Sequence, residues 1–200
     1  MANVAFVEPR SSFNAYGYWR LPLMGPLFLG TILKEAGHEV VVLRDSVRSL
    51  YDEKTGRLHE ALTRADVVAM SMITCTANRA YQMADAIRKA APQTRIIMGG
   101  PHPTYSAEEA LEHADLIVKG EGEEVILDAV ENNNLTGVIQ GTRVADLNKI
   151  PFPDFSILSD QDRLPRVMPI STSRGCPYDC VFCTVSSTFG RRYRLSLIHI

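Results

Sequence analysis

Cysteine, tryptophan, long apolar runs and excess charge of either sign are all scarce in this chain, and each scarcity closes off a class of protein. Across 200 residues there are four cysteines and one tryptophan. Three of the cysteines crowd into one short run, and Cys75 stands alone. No apolar stretch approaches the ~20 residues a membrane span requires. The richest one, from Pro22 to Ile32, is short and is interrupted by Pro26 and by glycines that include Gly30. Twenty-one basic against 23 acidic residues give a formal net charge of -2, which offers no footprint for a nucleic acid. With 46% hydrophobic and 22% charged residues, the composition is that of an ordinary globular protein. No signal peptide precedes the first apolar run, so a cytoplasmic protein without structural disulfides is expected. The length suits one packed domain plus part of another, and the chain reads as incomplete.

What is present, over most of the length, is an alternation of apolar strands with amphipathic helices. Strands are expected at Val4 to Val7, His38 to Leu43, Ala65 or Asp66 to Met72, Arg95 to Met98 and Leu116 to Val118. A helix from about Gly25 to about Ala36 stops at Gly37, where a C-terminal cap belongs. Between Ala77 and Ala91, the residues Ala80, Met83, Ala84, Ile87 and Ala91 recur at spacings of three and four, giving a helix with one apolar face that Pro92 ends. Glu123 to Asn132 predicts a further helix with an acidic first turn. Continuously apolar strands separated by helices imply a parallel sheet covered on both faces, which is a doubly wound α/β domain. Gly137 to Val144 reads as a small hairpin or an edge addition. Residues 146–164 then form a linker, in which Pro151 and Pro153 favour extended, stiff backbone. Val167 to Ser171 is expected to be the first strand of a second domain.

Doubly wound sheets bind ligands beyond the carboxyl ends of their strands. Three loops sit there: Ser71-Met72-Ile73-Thr74, Gly99-Gly100-Pro101-His102 and Gly120-Glu121-Gly122-Glu123. Glycine lets backbone approach a ligand closely, and hydroxyls add adaptable hydrogen bonds. The same composition also makes tight turns. Ser71, Thr74, Gly99, Gly100, His102, Gly120 and Glu121 are therefore the candidate cofactor contacts. His102, between Pro101 and Pro103, suits either a cofactor contact or a rigid loop. Glu121 and Glu123 also suit the first turn of the following helix, and Arg191, Arg192 and Arg194 a solvated charge cluster. Trp19, Tyr16 and Tyr18 either shield the ligand or pack the first loop. Cys75, at a strand end, reads as a small buried hydrophobe with no catalytic role.

The run Cys176-Pro177-Tyr178-Asp179-Cys180-Val181-Phe182-Cys183 places three thiols on one loop. Thiolates are the usual ligands of iron-sulfur clusters, and three of them leave one iron of a four-iron cluster open. A zinc knuckle or a disulfide pair is the alternative. Zinc sites usually add a second pair of ligands, whereas only His199 follows Cys183, and a disulfide calls for an oxidising compartment.

With Ser173-Arg174-Gly175 before it and Phe182 just ahead of the last cysteine, this run resembles the radical S-adenosylmethionine superfamily. The resemblance implies that Cys176, Cys180 and Cys183 hold a 4Fe-4S cluster. It also implies that the open iron binds S-adenosylmethionine, that Phe182 contacts its adenine, and that reductive cleavage yields a 5'-deoxyadenosyl radical. A small-molecule substrate and a reducing electron donor such as flavodoxin or ferredoxin follow as partners.

Ser71 with Ile73, and Gly99 with Gly100, resemble the Ser-x-Leu/Ile and Gly-Gly elements of the cobalamin-binding domain that precedes radical S-adenosylmethionine domains. The Gly-Glu-Gly-Glu run and the Ile-Pro-Phe-Pro-Asp stretch match as well, so the resemblance covers residues 3 to about 194. It implies a Rossmann-like, cobalamin-binding type of domain over 1–145, a linker over 146–164, and the truncated start of a radical S-adenosylmethionine β/α barrel over 165–194. The Asp-x-His-x-x-Gly element that supplies a cobalt ligand elsewhere in the family is absent, since Glu8-Pro9-Arg10-Ser11-Ser12-Phe13 stands in its place. Cobalamin would then sit without a protein imidazole.

The implied function is that of a cobalamin-dependent radical S-adenosylmethionine enzyme, a methyltransferase first. A cyclase or oxidoreductase of the same group, a cobalamin-binding module without catalysis, and a radical enzyme whose first domain binds no cobalamin are the alternatives. The fragment alone is expected to be inactive. Residues 195–200 resemble the translation of a sequencing adapter and are expected to be a non-native tail.

Overall fold

The computed structural model describes residues 1–11 and 21–196, so Tyr16, Tyr18 and Trp19 lie outside the described residues, as do 197–200 of the expected tail. The strands are β1 (Asn3–Glu8), β2 (Glu39–Arg44), β3 (Val67–Ser71), β4 (Arg95–Gly99), β5 (Leu116–Lys119) and β6 (Gly137–Gln140). They form one sheet in the order β2-β1-β3-β4-β5-β6, and every pairing is parallel. The Gly137 segment is thus a parallel edge strand rather than a hairpin.

Helices α1 (Met24–Glu35), α2 (Glu60–Arg64), α3 (Thr74–Ala90), α4 (Pro101–Tyr105), α5 (Ala107–Leu111) and α6 (Ile126–Glu131) provide the crossovers and cover the sheet. Strand β1 shows why both faces must be covered. Val4 and Phe6 belong to one apolar cluster with Leu27, Leu33 and Ile126, while Ala5 and Val7 belong to the other with Leu62, Met83 and Ile87. Successive side chains of a strand point to opposite faces, so a run apolar at every position needs a helical layer on each.

The helix through Ala80, Met83, Ala84 and Ile87 forms as its periodicity predicts, and begins one turn early, at Thr74. Cys75 therefore lies in the first turn of α3, half-buried, and not at a strand end. Helix α6 begins at Ile126 and not at Glu123, because Glu121 and Glu123 are held by arginines from the far end of the chain.

Residues 146–164 are not a free extended spacer. They make three short 3-10 turns, at Leu147–Lys149, Phe155–Ile157 and Gln161–Arg163. They also dock along the open edge of the sheet, where Ser159 donates its N–H to the Val42 carbonyl and Leu158 bridges Val42 in parallel. Asp160 pairs with Arg44 in full burial, and Lys34 reaches Asp154 at 2.6 Å. Docking there covers an edge that would otherwise offer unpaired backbone groups.

The expected strand at Val167 to Ser171 does not form. A parallel strand needs a hydrogen-bonded neighbour, and among the described residues none lies beside it. The pairing that does occur is a two-residue antiparallel contact between β7 (Ser173–Arg174) and β8 (Arg194–Leu195), with Arg174 opposite Arg194. Between them runs the cysteine loop and a short helix, α7 (Val185–Phe189).

Candidate cofactor site at the carboxyl edge of the sheet

From β1 the chain moves outward to β2, then returns to place β3 on the other side of β1. Crossovers that leave a sheet in opposite directions open a crevice above the carboxyl ends of the strands between them. A cavity of about 860 Å³ lies there. Its wall takes Ser71 from β3, Gly99 and Gly100 from the end of β4, and Gly120 and Glu121 from the loop after β5. Five of the seven contacts predicted on the strand-end loops are thereby brought together.

Ser71 and Gly99 are direct neighbours in the β3–β4 register. Gly100 has φ of +97° and packs so closely that a Cβ there would stand 2.8 Å from the Met72 carbonyl oxygen. Any side chain would lift the β4 loop off the floor of the cavity.

The remaining two contacts are not in the wall. His102 is buried behind it, its Nε2 2.9 Å from the Tyr81 hydroxyl and its Nδ1 3.2 Å from the Thr74 hydroxyl. Thr74 and His102 therefore bond to each other and tie α4 to α3. A sequence shows only that histidine sits on a glycine loop. Which way the ring turns depends on where Tyr81 stands, on a helix 21 residues away.

Sequence reasoning passed over Glu8. It ends β1, lines the cavity and is only 6% exposed. One carboxylate oxygen accepts the Leu23 N–H at 2.9 Å. Burial pushes its pKa up to about 8, against the lowering effects of that hydrogen bond and of Arg44, so at neutral pH Glu8 is mostly protonated. The signal was present, as an acid closing an otherwise apolar strand next to the crevice.

The cysteine loop approaches the same cavity from above. Ser171, Ser173, Arg174 and Gly175 belong to the wall, as do Val185 and Phe189 on the return. Gly175 has φ of +89°, and a Cβ would fall 2.3 Å from the Arg192 carbonyl oxygen, so the strand can turn into Cys176 only with glycine there. The Cys176 N–H donates to the Gly190 carbonyl at 3.1 Å, and the Cys183 N–H to the Cys180 carbonyl at 3.1 Å.

Cys180 is exposed, Cys176 and Cys183 are half-buried, and all are free thiols, so the disulfide reading finds no support among the described residues. Those residues contain no group of three metal-ligating side chains already gathered around one point. The three thiols lie on one open loop. Phe182 stands 87% exposed, outside the cavity wall. Around the loop, the Tyr105 hydroxyl meets the Ser187 and Thr188 hydroxyls at 2.6 and 2.8 Å and fastens α7 to the end of α4.

Electrostatically the site is dominated by Glu121. Although burial opposes ionisation, hydrogen bonds from Arg194 and the Val144 N–H, with the Arg174 charge, hold its pKa below the usual carboxylate range. Arg194 is thus buried and paired, not part of a solvated cluster, whereas Arg191 makes an exposed pair with Asp179. Glu123 joins through Arg174 at 2.5 Å. Among the described residues no helix is long and apolar enough to cross a membrane.

Residues 20–130 match the family model described as "B12 binding domain". Bacteriochlorophyllide d C-8(2)-methyltransferase of Chlorobaculum tepidum is 33% identical over 138 residues, covering 65% of this chain and 30% of that protein. An anaerobic magnesium-protoporphyrin IX monomethyl ester cyclase of Rubrivivax gelatinosus is 27% identical, covering 96% of this chain and 40% of that protein. The chain thus spans well under half the length of these relatives. Among solved structures, the radical S-adenosylmethionine methyltransferase TsrM of Kitasatospora setae, with cobalamin and a [4Fe-4S] cluster bound, superposes with a TM-score of 0.66 at 18% identity, over 98% of this chain and 44% of that one. A crevice at the strand reversal, a glycine floor beneath it and a family match running from α1 through α6 agree with one another, and the chain belongs to the B12-binding domain family.

Proposed function

We propose that this chain supplies the cobalamin slot and the cluster-binding loop of a cobalamin-dependent radical S-adenosylmethionine methyltransferase. One observation carries the reading: a single cavity is walled by the strand-end loops of the sheet on one side and by the segment feeding the three cysteines on the other. Two cofactors that must react with a common substrate need their sites to face one another across such a space.

The residues present suit both groups. The slot combines the Ser71 hydroxyl and the close-packed glycine floor with apolar walls from Phe28 and Ile126, as a large, mostly apolar cofactor with a polar rim requires. Cys176, Cys180 and Cys183 would hold the cluster, as a soft thiolate set chemically matched to iron and sulfide. When bound, cobalamin supplies a cobalt able to carry a methyl group, and the cluster supplies the electron that cleaves S-adenosylmethionine. Within this pairing Ser71, Gly99, Gly100 and Gly120 shape the slot, Glu121 and Arg174 hold the thiol loop to its rim, and exposed Phe182 is free to meet a nucleobase. Protonated Glu8 keeps a neutral polar surface at the end of β1, where no histidine is present to ligate cobalt.

A cyclase of the same group is the second reading, favoured by the extent of the match to the magnesium-protoporphyrin ester cyclase, which runs through the cysteine loop over 96% of this chain. The substrate in either case is a small molecule, and a low-potential reductant is the partner.

The test is an anaerobic titration of the chain with hydroxocobalamin, read by its visible spectrum and by cobalt retained after desalting. One cobalt per chain is expected, and a folded chain that retains none overturns the cobalamin assignment. Reconstitution with iron and sulfide should give about four irons per chain, and Cys180→Ala should lose them while its cobalt content stays unchanged. A Cys180→Ala chain that keeps its iron would remove the thiols from the site.

A further inference from the structure

We infer that Glu121 is a positioning residue that clamps both feet of the cysteine loop to the rim of the cavity. The purpose of the clamp rests on the function proposed above, while its geometry does not.

The loop leaves the fold at Arg174, two residues before Cys176, and returns at Arg194. These two arginines face each other in the β7–β8 register. Residues directly opposite on an antiparallel pair share a face at close range, where like charges repel. Here both side chains are also largely buried, so water screens little of that repulsion. A pairing only two residues long has few backbone bonds with which to resist it, the Ser196 N–H to the Thr172 carbonyl at 2.8 Å among them.

The two arginines are joined by one carboxylate that is itself fully buried. Glu121 Oε2 accepts from Arg174 Nη1 at 3.1 Å, from Arg194 Nη1 at 3.0 Å and from the Val144 N–H at 3.0 Å. Its Oε1 accepts from Arg194 Nη2. Glu121 thus bridges both feet at once, from a loop that follows β5 in the sheet. Glu123 touches only Arg174 and leaves Oε2 buried without a partner among the described residues. Two acids and two bases cancel, so losing the Glu121 charge leaves a buried net positive charge shared by two opposed arginines.

The experiment is amide hydrogen exchange on the 200-residue chain without added cofactors, comparing the wild type with Glu121→Gln. Exchange across 172–176 and 190–196, which includes the Cys176 N–H bonded to Gly190, is expected to accelerate about tenfold or more, with β1, β3 and β4 unchanged. Glu123→Gln should accelerate the same segments by a smaller factor, since both feet stay bridged. The double variant Glu121→Gln with Arg194→Met removes one of the opposed charges and leaves Arg174 paired with Glu123. It should recover the part of the protection that the repulsion of the two arginines removes, though not the part that Arg194 supplies through the Val144 and Phe189 carbonyls, and it decides the matter if Glu121→Gln alone unfolds the chain. Unchanged exchange in Glu121→Gln, or a double variant as unprotected as the single one, overturns the clamp. Because no cofactor is present, the result stands apart from hydroxocobalamin retention by the wild type, which tests the proposed function alone.

Discussion

The six-stranded sheet and the cysteine-bearing segment are held by opposite means. In the sheet, every position of β1 from Val4 to Val7 is buried among apolar side chains on one face or the other. In the segment from Ser173 to Leu195, Val181, Phe182 and Leu195 are exposed, and the attachment runs through Glu121, Arg174, Arg194 and the Tyr105 hydroxyl. Burial of apolar area is non-directional and tolerates small displacements, whereas hydrogen-bonded charges act at one geometry. On the function proposed above, a slot for a large cofactor would need only the first, and a loop presenting three thiols to it would need the second.

The contrast can be broken from either side. The largest effect is expected where charge anchoring has itself been buried. Asp160→Ala leaves Arg44 in the interior without that carboxylate, and should cost roughly 3–5 kcal/mol in urea unfolding and free residues 146–164 to proteolysis. Leu33→Ala, at a fully buried position of α1, should cost roughly 2–5 kcal/mol by the same measurement while leaving the cysteine-loop contacts in place.

Glu8 gives a pH signature. Its folded pKa of about 8 lies above the ordinary 4.5, so the folded chain holds a proton that the unfolded chain releases. Stability from this group is therefore fully present below pH 4.5, falls by roughly 1.4 kcal/mol per unit as pH rises between the two values, and levels off above pH 8. Glu8→Gln should flatten that slope in unfolding curves taken at pH 5, 6.5 and 8.5. The smallest effect is expected at the exposed Asp179–Arg191 pair, where Arg191→Ala should change stability by less than about 1 kcal/mol.

The sheet was legible because its signal is local. The run Val4 to Val7, the spacing from Ala80 to Ile87 and Gly37 after the first helix each state a preference that tertiary structure has no reason to overrule, and the helix and strand bounds moved by only a few residues. The floor of the slot was legible for a related reason, since Ser71, Gly99, Gly100 and Gly120 sit at strand ends and a doubly wound sheet sends all strand ends to one edge. His102 and Thr74 lie outside the cavity wall because position on a loop does not say which way a side chain turns, and the His102 ring is bonded to Tyr81. Val167 to Ser171 misled because strand propensity needs a partner to pair with. In the sequence Glu121 suits a cofactor contact or a first-turn acid alike, because its partners, Arg174 and Arg194, lie 53 and 73 residues further on.

By itself, then, the sequence determined the α/β layering, the crevice edge and the crowding of three thiols into one short run, all of which follow from residue type and short-range periodicity. Only the tertiary structure decided that Glu8 is protonated at that edge, that residues 146–164 seal the β2 side, and that one buried carboxylate joins the cysteine loop to the slot. Each of these depends on charges brought together from distant parts of the chain and on the water excluded around them. The energy of a buried charge is set by its neighbours in space, which no local pattern records.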